Sequence, residues 1–192
     1  EKYDVAIIGG GSTGLAALKQ LSNLGKQAIL LVAGSKIGSK NISGGILYSK
    51  KPKKGTVTNV EQVFENFLDD APFERKITKY ILHSTSKDKV YSMDLTAAHD
   101  YQANFGYSVL LNKLNSWFAR QAIETAQKFG GGIIPGVHVR SIRWTESGTA
   151  IMQTDELDEF EVRAVIAAGG VNSEIAEMTG ARPKFTPVQL YQ

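Results

Sequence analysis

Six residues limit this chain more than any others: Gly9-Gly10-Gly11-Ser12-Thr13-Gly14. They follow the apolar run Tyr3 to Ile8 and open a stretch with leucines at 15, 18, 21 and 24 before Gly25. Strand, tight glycine turn and helix, in that order, form a dinucleotide-binding turn. The first glycine permits the turn, the second lets the backbone approach a pyrophosphate, and the third allows close packing of helix on strand. The free N–H groups and positive dipole at the helix start then face the phosphates. The bland alternative is a glycine-rich turn with no ligand.

Such a unit normally ends its second strand, about 20 residues beyond the glycines, with an acid that accepts hydrogen bonds from the adenosine ribose. Here the second strand reads Gln27 to Gly34, and Val32 stands where the carboxylate belongs. No Asp or Glu occurs between residues 5 and 60. The phosphate cradle is present and the ribose acceptor is missing.

With 192 residues and 42% hydrophobic content, the chain can bury a core and suits one domain or one and a half. The absence of cysteine excludes disulfides, Cys-ligated zinc and any cluster held by cysteines of this chain. Apolar runs are only strand-sized and the N-terminus lacks the layout of a signal peptide, so we expect no transmembrane segment and a cytoplasmic location. The net charge of +3 is unevenly spread, with Lys36, Lys40, Lys50, Lys51, Lys53 and Lys54 in one acid-free stretch. Acids cluster at 61–74 and 155–161, which argues against a nucleic-acid footprint. A solvated loop is the plain reading of the lysines; docking to an acidic partner or peripheral contact with anionic lipid is the other.

The expected fold class is α/β, a Rossmann-like FAD/NAD(P)-binding three-layer core with a β-rich insertion. Residues 1–34 read as strand, helix, strand; 35–60 as a long loop, mobile over 35–55; 61–69 as a short amphipathic helix. Segments 75–83, 89–94 and 106–110 read as short strands. Apolar residues at 111, 114, 118, 122, 126 and 129 mark a long helix ended by Gly130-Gly131-Gly132. A strand at 132–135, a meander over 137–145, 148–154 and 157–163, and an apolar segment 164–168 follow. A helix capped by Asn172 or Ser173 comes next. The expected division is a discontinuous core of 1–70 and 111–180, an insertion of 71–110 and a tail of 181–192.

His83, His99 and His138 show no ligand spacing, so no metal site is expected. Ser12 and Ser108 lack a nucleophile elbow. Trp117 and Trp144 could stack on a cofactor, but an aromatic beside Phe118 on a helix reads as core. No residue is assigned as a catalytic acid or base.

Several peptides together resemble one family. They are the glycine turn; Gly38-Ser39-Lys40-Asn41-Ile42-Ser43-Gly44-Gly45-Ile46-Leu47-Tyr48; Ala71 to Thr78; Tyr107-Ser108-Val109-Leu110 before a helix; and Gly170-Val171-Asn172-Ser173. The chain resembles the FixC group of flavoprotein oxidoreductases, relatives of electron-transfer-flavoprotein:quinone oxidoreductases and geranylgeranyl reductases. The second peptide is the specific one. Family members continue well past residue 192, so the chain reads as an N-terminal portion. The resemblance implies FAD as cofactor, a donor flavoprotein or ferredoxin, and a quinone or related acceptor. It implies contacts to FAD from Gly9, Gly11, Ser12, Thr13 and Gly14 at the pyrophosphate and from Val32 and Ala33 at the ribose end. Lys40, Asn41, Ser43, Gly44 and Gly45 would line the flavin side, with Leu111, Gly169 and Gly170 completing the set.

Three of these positions depart from the family pattern: Val32 replaces a glutamate, Leu111 an arginine, and Gly169 the aspartate of an Asp-Gly pair. Hydrogen bonds to charged groups contribute roughly 1.5–3 kcal/mol each, so three losses amount to about 5–9 kcal/mol. That weakens FAD binding by roughly three to six decades at about 1.4 kcal/mol per decade. Two further readings follow: a cofactor-free pseudo-flavoprotein or engineered scaffold or interaction module, and an NADP site in which Ser35 and Lys36 face a 2′-phosphate.

Overall fold

The computed structural model describes residues 2–50, 60–97, 104–170 and 173–180. The chain divides into two compact units, residues 1–40 with 115–192 and residues 41–114.

The first unit is built on a six-stranded sheet. Strand β1 (Lys2–Ile8) lies at its centre, parallel to β2 (Ala28–Val32) on one side and to β11 (Phe160–Ala167) on the other. Beyond β2 lies the parallel edge strand β8 (Gly132–Pro135), and beyond β11 the antiparallel strands β10 (Ala150–Thr154) and β9 (Val139–Trp144). Every residue of β2 is buried, which explains its unbroken apolar sequence: a parallel strand covered on both faces has no polar side. Helix α1 (Ser12–Asn23) packs on one face through Leu15 and Leu18, both fully buried. Helix α4 (Leu111–Ala126) is tied to α1 by Ser12 Oγ donating to Asn115 Oδ1 at 2.6 Å and by Lys19 Nζ donating to Thr125 Oγ1 at 2.6 Å. On the other face, Ala6, Ile29 and Leu31 join Val139, Ala150, Met152 and Val162 of the meander in one core, closed by Ile175 of α5 (Glu174–Met178).

The second unit holds the antiparallel sheet of β3 (Gly44–Lys50), β7 (Asn104–Leu110) and β4 (Phe73–Lys76), in that order. Phe73 stacks on Tyr107 with centroids 4.1 Å apart and meets Phe67 edge-on at 5.2 Å. The hairpin β5 (Ile81–Thr85) and β6 (Val90–Asp94) forms a separate two-stranded sheet.

Four elements differ from the sequence reading. The strand expected over 75–83 is two, β4 and β5, which belong to different sheets. The expected loop 35–60 contains β3, because the backbone of residues 44–50 pairs along β7; residues 51–59 lie outside the described set. The helix expected over 61–69 is two single turns, α2 (Val60–Val63) and α3 (Phe67–Asp70), separated by Asn66 at φ 59°. Segments 157–163 and 164–168 are largely one strand, β11, since β1 pairs continuously along it from Glu161 to Ala167. The expected insertion began at residue 71; the second unit begins at Asn41, so it takes in β3.

Candidate functional site

The C-terminal ends of β1, β2 and β11 bring the glycine turn, Val32 and the Gly169-Gly170 pair together. This is the end of a parallel sheet where ligands bind in α/β folds. Gly9 leaves β1 at φ 117°, its N–H donating to Leu31 O at 2.9 Å, while Ala168 N–H donates to Ile8 O at 2.8 Å. A Cβ on Gly9 would collide with the carbonyl oxygen of Ala168 and lie 2.8 Å from Gly169 N, so only glycine fits between the two strand ends. A Cβ on Gly14 would strike Gly9 O and come within 3.3 Å of Leu30 Cδ1, which sets the close seat of α1 on the sheet. Gly11 is different: a Cβ there would meet nothing within 4 Å. It keeps an open approach to the backbone.

The start of α1 suits an anion. Gly11 is the N-cap with no side-chain cap, and the first turn contains no acid. Gly11 itself thus offers the N–H groups of the first turn no side-chain acceptor, and the dipole is positive there. Thr13 is exposed. Ser12 directs its hydroxyl at Asn115 Oδ1 and so braces the turn from behind.

The ribose end is built otherwise. Val32 is 8% exposed, and its methyls lie 2.7 and 2.9 Å from where a Cβ on Gly10 would stand, beside Ile37 Cδ1 at 2.9 Å. Val32 and Ile37 therefore rest directly on the Gly10 backbone. Ala33 is exposed, as are Ser35, Lys36 and Lys40 in the following loop. The phosphate end thus fits a dinucleotide, and at the end of β2 an apolar side chain stands where a carboxylate would receive the ribose hydroxyls.

Gly169 and Gly170 follow β11 and are exposed. A Cβ on Gly169 would lie 2.9 Å from Ser173 Oγ and 3.1 Å from its Cβ. Ser173 is the N-cap of α5, its Oγ accepting from Ala176 N at 3.2 Å. Asn172, the other candidate cap, lies outside the described residues, as does His99.

Within the second unit, Ser43, Gly44 and Leu111 stand together: Leu111 N donates to Ser43 O at 3.2 Å, and Gly44 pairs with Leu110. Ser43 and Gly44 are exposed; Asn41, Gly45 and Leu111 are half-buried.

Other chemistry is thin. His83 Nδ1 bonds Ser92 Oγ at 2.8 Å on the hairpin, and His138 Nε2 lies 3.8 Å from Glu174. Among the described residues no three His, Asp or Glu side chains are grouped to hold a metal. Trp117 is 2% exposed and packs on Phe118, whereas Trp144 is 54% exposed on β9. No described helix is long and apolar enough to cross a membrane. The feature that sequence reasoning missed is Ile37, whose contact with Gly10 depends on how the loop after β2 folds back.

No protein-family model matches the sequence. Among curated proteins, the chain is 30% identical over 189 residues to protein FixC of Escherichia coli strain K12, covering 98% of this chain and 41% of that protein. It is 28% identical over 189 residues to the probable electron transfer flavoprotein-quinone oxidoreductase YdiS of the same strain, covering 97% and 41%. The chain thus spans about two-fifths of the length of these relatives. The fold matches that of PqsL, a probable FAD-dependent monooxygenase from Pseudomonas aeruginosa, with TM-score 0.67 at 13% identity, over 96% of this chain and 47% of that one. The sequence likeness to FixC over nearly the whole of this chain and the α/β fold shared with a probable FAD-dependent monooxygenase agree with each other: the chain is similar in sequence to FixC proteins and has the fold of such flavoproteins.

Proposed function

We propose that this chain carries the FAD-binding core of a FixC-like oxidoreductase, one that takes electrons from a donor flavoprotein or ferredoxin and passes them to a quinone or related acceptor. One observation carries the reading. The glycine turn has two positions where only glycine fits and one, Gly11, left open beside an uncapped helix start. FAD supplies the redox chemistry when bound, and the protein's part is to seat and orient it. The backbone N–H groups of Ser12 and Thr13 face the pyrophosphate in this reading, with Gly9, Gly11 and Gly14 shaping the turn. By the resemblance alone, Lys40, Asn41, Ser43, Gly44, Gly45 and Leu111 are carried over as flavin-side residues, and Gly169 and Gly170 as cofactor contacts at the end of β11.

The same geometry supports weak binding. Val32 offers no ribose acceptor, and Gly169 leaves no carboxylate near the end of β11. A cofactor-free module is favoured by one observation, the seating of Val32 and Ile37 on Gly10 in place of a polar pocket. Absorbance of the purified protein and a flavin titration followed by tryptophan fluorescence separate the two. FAD binding is expected to leave the protein pale after dialysis yet quench fluorescence saturably at high flavin concentration. No saturable change at any flavin concentration overturns the proposal in favour of the module.

A further inference from the structure

The end of β2 is closed to the chemistry that usually reads a ribose. Val32 is held by its own backbone: its carbonyl accepts from Val137 N at 3.0 Å, and Gly34 O accepts from Gly136 N at 3.0 Å. The strand end cannot turn to present another side chain without breaking both bonds. Val32 and Ile37 cover the Gly10 backbone on this side. The loop that follows carries Lys36 and Lys40, both exposed, and no acid. Its bend is fixed by Ser39 Oγ donating to Lys36 O at 2.8 Å.

Discrimination for a hydroxyl arises when its absence leaves a buried acceptor unpaired. An acid at this position would impose that penalty on a deoxyribose and would repel a 2′-phosphate. Valine imposes neither. We propose that the ribose end of this dinucleotide seat is an apolar wall that does not read the 2′-hydroxyl, so that adenosine diphosphates carrying hydroxyl or hydrogen there bind alike, while the exposed Lys36 and Lys40 leave a 2′-phosphate unopposed. Val32 and Ile37 are the residues that set this tolerance. The inference rests on the reading of the glycine turn as a diphosphate seat.

Calorimetric or NMR titration of the whole chain with ADP, 2′-deoxy-ADP and 2′-phospho-ADP tests it. The unaltered protein is expected to bind ADP and 2′-deoxy-ADP within about fivefold of each other, because neither leaves an acceptor unpaired, and 2′-phospho-ADP at least as tightly, because Lys36 and Lys40 are exposed and no acid opposes it. In Val32→Glu, ADP is expected to bind at least about tenfold more tightly than 2′-deoxy-ADP, and 2′-phospho-ADP more weakly than either. A preference of more than about tenfold for ADP over 2′-deoxy-ADP in the unaltered protein overturns the proposal while leaving the diphosphate seat standing. Failure of all three nucleotides and of inorganic pyrophosphate to bind overturns the seat itself, and the proposal with it. If Val32→Glu does not fold, the ratios in the unaltered protein decide the matter alone.

Discussion

The three glycines of the turn separate fold from function at the scale of single residues. Gly9→Ala forces a side chain into φ 117° against the Ala168 carbonyl, and Gly14→Ala drives α1 off Gly9 O. Each is expected to lower unfolding free energy by about 2–4 kcal/mol, read from urea midpoints. Gly11→Ala meets nothing, so it is expected to cost no more than about 1 kcal/mol, the loss of a tolerable N-cap, while still weakening pyrophosphate binding. Equal destabilisation by all three would mean that Gly11 serves packing rather than a ligand. The roles of Gly9 and Gly14 were legible in the sequence because they are backbone requirements fixed by local order. The wall of Val32 and Ile37 on Gly10 was only half legible. The missing acid shows in the sequence, but the apolar contact that replaces it arises only when β2 pairs with β1 and the loop after it folds back.

Among the elements, α5 depends on its cap. Ser173→Ala removes the acceptor for Ala176 N and is expected to cost about 1 kcal/mol of stability. The same contact limits repair of the cofactor side, since Gly169→Asp would press its Cβ on Ser173 Oγ; restoring that aspartate is expected to loosen α5 even if it helps FAD. Arg140 on edge strand β9 grips the Asp155 carboxylate through Nε at 2.7 and 2.8 Å. Its hydrogen bonds, with its charge, hold the Asp155 carboxyl below the usual carboxylate range. A lowered folded value means that the link is complete at neutral pH and lost only as pH falls through that lowered value. An NMR titration of the Asp155 carboxyl is expected to show a midpoint below the ordinary range, restored upward in Arg140→Gln. Helix α4, followed by a 3-10 turn over Gln127–Phe129 that stops at Gly130 in left-handed conformation at φ 72°, was plain from period and punctuation. Strand β3 was not, because it lies within a Gly-, Ser- and Lys-rich stretch that signals a loop and its pairing with β7 is long-range.

At the scale of the whole molecule, the first unit owns a core independent of any ligand, made of β1, β2 and the meander with α1 and α4. The chain is therefore expected to give a native near-UV circular dichroism spectrum without flavin. Amide exchange should then be slowest in β1 and β2 and fastest in the β5–β6 hairpin, whose every residue is exposed. Fast exchange throughout the sheet would contradict a self-sufficient core. The order of elements and the parallel core could be read from glycine placement and apolar period, whereas the unit boundary at Asn41 could not, since it follows from β3 joining β7. On the proposed reading, the phosphate end of a FAD seat is kept and the carboxylate of its ribose end is replaced by Val32. Parallel FAD titrations of the unaltered chain and of Val32→Glu, followed by tryptophan fluorescence, test it most directly. A carboxylate among Val32's apolar neighbours is expected to lower the ligand-free stability by about 1–2 kcal/mol, yet to tighten FAD binding by roughly 1.5–3 kcal/mol, or about one to two decades. Equal FAD affinity in a folded Val32→Glu variant would contradict the account.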